Sequence, residues 1–275
     1  MSATSRVVPV RRAGSLHAEP GEDAVAVEAP LEVRLHGEPF AVIMRTPGAD
    51  RELVAGFLFT EGVVRAAADL VRVDALLDNV VDVRLSDRRA AQVPAYVDSR
   101  RQVTMNSSCG MCGRRSLESL ELDDPPLTAT WRIPVAQLAA LPDRLRQVQP
   151  TFDETGGLHA AVLLSLDGMV EASAEDVGRH NAVDKLIGRM LFAARTPLDR
   201  SILFVSGRSS FEIVQKAFLA GIPLVGAVSA PSSLAIDLAT QCGITLLGFV
   251  RDGRMNIYSH AHRVMDAPLE RSSGA

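Results

Sequence analysis

Between Ile202 and Phe249 the chain alternates short, uninterrupted apolar runs with stretches of helical periodicity, and few architectures accommodate that rhythm. Ile202 to Val205, Leu224 to Val228 and Ile244 to Phe249 are short and show no polar face, so each reads as a strand buried on both sides. Ser210 to Ala220 and Leu234 to Gln241 read as the helices between them. Strands of this kind need cover on both faces, which predicts a three-layer α/β domain with its ligand loops at the strand ends. Upstream, His159 to Ser165 and Met169 to Ala174 flank the turn Asp167-Gly168. Asn181 to Ala194 follows as a helix that buries Val183, Leu186, Ile187, Met190 and Leu191, and Asn256 to His260 is the last expected strand.

The first half reads differently. From Val25 to Arg45 apolar and polar residues alternate around His36-Gly37-Glu38-Pro39, the mark of a β-hairpin. Ala49 to Thr60 sets Leu53, Val54, Phe57 and Leu58 on one helical face, with Asp50 at its start and Gly62 beyond its end. Val80 to Leu85 alternates as a further strand. These elements predict a smaller N-terminal α+β module over residues 25–122, joined through Asp123-Asp124-Pro125-Pro126 to the α/β domain over residues 123–265. Residues 1–24 are expected to be a flexible leader and residues 266–275 a flexible tail.

At 275 residues and 47% apolar content the chain can bury a large core, and its net charge of −4 disfavours generic binding to nucleic acid. Arg6, Arg11 and Arg12 are not followed by an apolar run, so no secretory signal is read, and no stretch approaches the roughly 20 apolar residues of a membrane span. A reducing, cytoplasmic location is expected.

Asn106 to Arg115 holds two of the chain's three cysteines, Cys109 and Cys112, between glycines and ahead of Arg114 and Arg115. A thiolate is the reactive form of cysteine, and nearby positive charge or a helix N-terminus favours it. Leu117, Leu120 and Leu122 suit a short helix after Gly113. The spacing alone leaves four readings open: disulfide redox, half of a zinc site, sulfur relay, or an incidental pair. Three cysteines are too few and too odd in number for a secreted disulfide framework. Zinc lacks a second ligand pair, since Cys242 stands alone at the end of an apolar helix and His260 and His262 are the only close histidines.

Polar residues gather where strands end. Ser206-Gly207-Arg208-Ser209-Ser210 and Ser229-Ala230-Pro231-Ser232-Ser233 each lead from a strand into a helix, where backbone N–H groups receive anions. Phe249-Val250-Arg251-Asp252-Gly253-Arg254 adds two guanidinium groups at a strand-to-strand turn. Any one of these loops reads as an ordinary cap or turn, but three together point to a phosphate-bearing ligand. The densest polar segment is Glu175 to Lys185. In it Arg179 is suited to a phosphate, and Asp176 or Asp184, beside His180, to donor groups of a base or pterin ring.

The run Ser108 to Gly113, the segment Glu175 to Lys185, the loops at Ser206 and Ser229 and the helix Glu52 to Leu58 together resemble the formate dehydrogenase accessory sulfurtransferases, in order and in spacing, from about Val25 to His260. The resemblance implies a cytidine-deaminase-like fold with an added N-terminal module, and a dimer. It implies a sulfur carrier that accepts persulfide sulfur from a cysteine desulfurase. The sulfur passes to the bis(molybdopterin guanine dinucleotide) molybdenum cofactor before that cofactor enters formate dehydrogenase. The persulfide maps onto Cys109 and Cys112, with Cys109 as principal carrier, and the cofactor-binding loop onto Phe249 to Arg254. Zinc deamination does not fit, because His159 is followed by Ala160 and Ala161 where a catalytic Glu is required. A guanine-nucleotide-binding scaffold and a thiol-disulfide redox protein are the competing readings.

Overall fold

The computed structural model describes residues 4–14, 18–93 and 124–265. Two hairpins open the chain. Strands β1 (Ser5–Ala13) and β2 (Ala18–Ala26) pair antiparallel from Ser5↔Ala26 to Ala13↔Ala18. Most of the leader expected to be flexible is thus an ordered ribbon. Its side chains are mainly exposed, so the alternation that betrays a half-buried strand is absent; cross-strand contacts such as Arg12 to the Glu22 carbonyl (2.6 Å) replace it. Ser5 Oγ ties the ribbon to the body by donating to Glu154 Oε1 at 2.8 Å.

Strands β3 (Ala29–Leu35) and β4 (Glu38–Arg45) form the expected hairpin. Its two turn residues, His36 and Gly37, have φ of 55° and 90°, the left-handed geometry that tight hairpins require. After helix α1 (Asp50–Thr60) come β5 (Leu70–Leu77), β6 (Val80–Leu85) and a short helix α2 (Asp87–Ala90), giving a four-stranded sheet in the order β4-β3-β6-β5.

The larger sheet has six strands in the order β13-β12-β11-β10-β8-β9: β8 (His159–Ser165), β9 (Val170–Asp176), β10 (Ser201–Val205), β11 (Leu224–Ala227), β12 (Thr245–Arg251) and β13 (Arg254–Ser259). β10, β11 and β12 are parallel, and the remaining three run against their neighbours. Helices α3 (Val135–Ala139) and α4 (Leu141–Arg146) cover one face, ahead of α5 (Pro150–Thr155). Helices α6 (Arg179–Phe192), α7 (Phe211–Leu219) and α8 (Ser233–Cys242) cover the other. In β8, Ala161 and Leu163 pack with α6, whereas Ala160, Val162 and Leu164 pack with Leu138, Leu141 and Leu145. Burial on both sides is why these strands carry no polar face. The short β7 (Ile133–Pro134) pairs with β14 (Val264–Met265).

Two of the boundary shifts bear on the polar segments. Helix α6 begins at Arg179 rather than Asn181, because Gly178 in extended geometry is the cap and the Asn181 amide turns inward to Asp176 Oδ1 (2.9 Å) and the Met44 carbonyl (2.8 Å). β13 begins at Arg254 rather than Asn256, since Asp252 and Gly253, with φ of 52° and 71°, close a two-residue turn.

The N-terminal module and the α/β domain share one core. Leu53, Val54, Phe57 and Leu58 of α1 belong to the same apolar cluster as Val183, Leu186 and Ile187 of α6. Glycines let the two helices meet backbone to backbone: a Cβ on Gly56 would lie 1.9 Å from the Asp184 carbonyl oxygen, and one on Gly188 1.9 Å from that of Glu52. The boundary expected near residue 122 lies outside the described residues. Among those described, no helix is long and apolar enough to cross a membrane.

Candidate functional site

The loops that carry the polar residues meet at one edge of the six-stranded sheet. β10, β11 and β12 all end there, and the antiparallel pair β8 and β9 begins and ends there, with His159 opposite Asp176. The loops are stitched to one another. Ser206 N donates to the Ala160 carbonyl and Ala160 N to Ser206 Oγ, both at 2.9 Å. Ser232 N reaches the Ser209 carbonyl at 3.0 Å, and Phe249 N the Ser229 carbonyl at 3.1 Å. Ligands of open α/β sheets bind at this carboxyl edge.

The edge is electropositive. Gly207 packs so closely that a Cβ there would meet His159 Nδ1 at 3.3 Å and Arg179 Cδ at 3.6 Å, which places three elements around one point. Burial, and then the charges of Arg179 and Arg208, hold the His159 imidazole below its ordinary pKa, against an opposing pull from Asp176. Arg179 is the first residue of α6, and Ser210 caps α7, so two helix N-termini face the cluster. Among the described residues, Arg179 Nε is buried without a hydrogen-bond partner. An anion resting on Arg179 and Arg208 would supply what such a group lacks.

Three residues of the Glu175 to Lys185 segment turn away from the edge. Asp176 was expected to face a ring, but Oδ1 accepts from Gly178 N and Asn181 Nδ2, while Oδ2 meets Lys185 Nζ at 2.7 Å and Thr46 N at 3.2 Å. Asp184 is buried deeper still, accepting from Thr60 Oγ1 and from Lys216 Nζ, each at 2.8 Å. Both carboxylates therefore hold the helices together and offer nothing to a ligand. His180 Nε2 lies 3.1 Å from Ser210 Oγ and 3.1 Å from Glu212 Oε2. Burial first, then Lys216 and Arg179, push the His180 imidazole down to about 3, so it is neutral. Burial pushes the Glu212 carboxyl up to about 7. His180 is the support beneath Arg179 and the Ser210 cap.

A cleft of about 640 Å³ opens beside the positive cluster. His159, Ser206 and Val228 form one side, and Leu145, Gln149 and Phe152 the other. Its size falls within the usual range for small-molecule sites. The wall from α4 and α5 was not among the expected site residues. Its one sequence signal is Gly156-Gly157, which marks a turn before β8. Glu175 fixes that wall, because its two carboxylate oxygens accept from Thr151 N at 3.0 Å and Phe152 N at 2.7 Å.

The hairpin tip is a separate outer feature. Val250 is fully buried in the apolar layer that holds Leu138, Leu141 and Leu145, so its side chain cannot touch a ligand. Phe249 has φ of 52°, and the Arg251 guanidinium lies 5.7 Å from its ring centre. Arg251, Asp252, Gly253 and Arg254 are exposed at the tip and do not line the cleft. Cys109 and Cys112 lie outside the described residues. Cys242 is buried at the end of α8, and burial pushes its thiol up to about 11.

A family model described as the FdhD/NarQ family matches residues 26–265. A relative from Streptomyces coelicolor named sulfur carrier protein FdhD is 49% identical over 269 residues, with 92% of both chains covered. One of the same name from Nocardia farcinica is 47% identical, covering 96% of this chain and 95% of its own. Among solved structures, a crystal structure from Desulfotalea psychrophila, provisionally titled a formate dehydrogenase accessory protein, has a TM-score of 0.78 at 25% identity and covers 95% of this chain.

Proposed function

This chain belongs to the FdhD/NarQ family, and we propose on that basis that it is a sulfur carrier serving formate dehydrogenase, with Cys109 as the persulfide-bearing residue and Cys112 as its relay. The sulfur donor is a cysteine desulfurase. The substrate is the bis(molybdopterin guanine dinucleotide) molybdenum cofactor, which then passes to formate dehydrogenase. The protein works as a cytoplasmic homodimer. The observation that carries the reading beyond the names of relatives is the meeting of Arg179, Arg208 and two helix N-termini beside a cleft. A guanosine diphosphate portion of the cofactor is suited to that site, its phosphates on the arginines, with Arg251 and Arg254 at the hairpin tip as outer contacts.

The chemistry balances with two cysteines. The Cys109 thiolate attacks the outer sulfur of the donor's persulfide; one S–S bond forms, one breaks, and the donor leaves as a thiolate. Cys112 thiolate then attacks the inner sulfur of the Cys109 persulfide. Hydrosulfide departs toward the cofactor, and a Cys109–Cys112 disulfide remains for an external dithiol to reduce. Mass spectrometry of the chain after incubation with a cysteine desulfurase and cysteine tests this. A gain of about 32 Da, one sulfur atom, is expected on Cys109. Its absence from both Cys109 and Cys112 overturns the carrier assignment and leaves a nucleotide scaffold or a redox thiol pair. Its persistence in Cys109→Ala moves the role to Cys112.

A further inference from the structure

Arg179 stands between two titratable side chains, one on the cleft side and one beneath. On the cleft side is His159: its ring and the Arg179 side chain both close on the point where a Cβ of Gly207 would lie, with Nδ1 at 3.3 Å and Cδ at 3.6 Å. Beneath is Glu212, reached through His180, the next residue on α6. His180 Nε2 lies 3.1 Å from Glu212 Oε2 and 3.1 Å from Oγ of Ser210, the cap of α7. Burial acts first on both titratable groups, driving His159 down and Glu212 up to about 7, and the Arg179 charge then favours the deprotonated form of each. The other charges facing His159 are Arg208 after β10, Asp176 on β9, and Asp143 and Arg146 across the cleft on α4. Those facing Glu212 are Lys216 on its own helix, Asp184 on α6 and Glu61 after α1.

An anion seated on Arg179 and Arg208 cancels the positive field that keeps protons off both groups, and it adds a negative charge of its own. Protonation of either group then becomes more favourable. The hydrogen bonding at Glu212 accommodates the change. With Glu212 ionised, His180 Nε2 carries the hydrogen and donates it; with Glu212 protonated, the carboxyl donates and the neutral ring keeps its hydrogen on Nδ1. One contact of 3.1 Å serves both states, and His180 stays uncharged in each. We infer that this edge binds its anion together with a proton, taken up at His159 and Glu212, so that His159 joins Arg179 and Arg208 as a cationic ligand. The inference rests on the anion-binding reading given above and adds to it a binding residue and a pH dependence. Coupling of this kind is reciprocal: an anion that draws a proton in is itself bound more tightly as pH falls.

Titration calorimetry of the full chain with sodium sulfate, an anion that takes up no proton of its own near neutrality, tests this. The titrations are run in bis-tris, triethanolamine and Tris, cationic buffers that do not compete for the arginines and that differ in heat of ionisation. The change in observed heat from buffer to buffer counts the protons taken up. Pyrophosphate, corrected for its own protonation, replaces sulfate where sulfate binds too weakly. At about pH 7.5 the wild-type chain is expected to take up between a few tenths of a proton and about one per anion, and its affinity to fall about two- to tenfold from about pH 7 to about pH 8. His159→Gln and Glu212→Gln are each expected to take up less. Absence of uptake by the wild-type chain overturns the inference, a result that needs no variant. Uptake as large as wild type in both variants overturns it too. Failure of the wild-type chain to bind either anion instead removes the anion reading on which the inference stands.

Discussion

Lys216 Nζ lies 2.8 Å from each carboxylate oxygen of Asp184, and the two residues are 5% and 2% exposed. They form the second rung of a ladder between α6 and α7. Four residues nearer each helix N-terminus, Glu212 and His180 form the first, at 3.1 Å. One helical turn separates the rungs on each helix, so the spacing follows from the helical repeat. The upper rung supports the anion-binding edge, and the lower one joins it to α1 through Thr60.

Lys216→Met is expected to destabilise the protein by about 3–5 kcal/mol, because it leaves the Asp184 charge buried without its partner. Replacing both residues, as Lys216→Met with Asp184→Leu, should cost less than the single change. Urea unfolding with a shared slope measures both, and a single-variant loss below about 1 kcal/mol would contradict the assignment.

Gly56→Ala should be among the most damaging of small substitutions. Its methyl would fall on the Asp184 carbonyl, so α1 and α6 must move apart and reopen their shared core. Overpacking costs about 1–3 kcal/mol, and backbone cannot yield as a side chain does. Thermal unfolding of Gly56→Ala beside Gly62→Ala separates this clash from the backbone strain of Gly62, whose φ is 78° with open space around it.

The upper rung sets opposing pH responses. Glu212 is raised from 4.5 to about 7, so its contribution is fully present below pH 4.5 and is lost as pH rises through about 7. His180 is lowered from 6.5 to about 3, so its contribution is present above pH 6.5 and is lost as pH falls through about 3. Lys216 on α7, Arg179 and Asp184 on α6, and Glu61 after α1 add to the field at Glu212. Glu212→Gln should therefore gain on wild type as pH rises from 4.5 to 7, by at most about 1.4 kcal/mol per pH unit. Parallel stability profiles for the two proteins would rule this out.

Arg208→Ala should weaken GDP by roughly tenfold or more, the loss of a charge-assisted contact to phosphate. Removing Arg251 and Arg254 together should weaken free GDP less, since the hairpin tip stands outside the cleft. Calorimetry at fixed ionic strength compares them; equal losses would mean that the tip closes over the same phosphates.

Cys242 should resist alkylation in the native protein. The residue is 3% exposed and its thiol is pushed up to about 11, so little thiolate exists at neutral pH. Peptide mapping after iodoacetamide at pH 8, with and without urea, reads this directly. Labelling of Cys242 at the rate of a free cysteine would show that the C-terminus of α8 opens.

Strands β8, β10, β11 and β12 and helices α1, α7 and α8 were legible because burial on two faces, or on one, is written into consecutive residues. The ribbon of β1 and β2 was not, because its side chains are exposed and its order comes from pairing. The site divides in the same way. Gly207 and Arg208 stand where a strand gives way to a helix, a position that local pattern identifies, and the structure brings them to His159 and Arg179 at one edge. Arg179, His180, Asp176 and Asp184 share one polar segment, but only the first faces the anion edge. The other three are claimed by Thr46, Thr60, Ser210, Glu212, Lys185 and Lys216, most of them on other elements.

The cleft shows the limit most clearly. Gln149 and Phe152 carry no motif, and they become part of a site because Glu175, on the neighbouring strand, holds their helix against the sheet edge. Periodicity is a local property, set by which side chains meet water, so the sequence by itself determined the layers and the order of the loops. Which polar groups are consumed by internal pairs and which are left facing a ligand depends on partners up to 156 residues away, as for Lys216 and Thr60, and only the tertiary structure decided it.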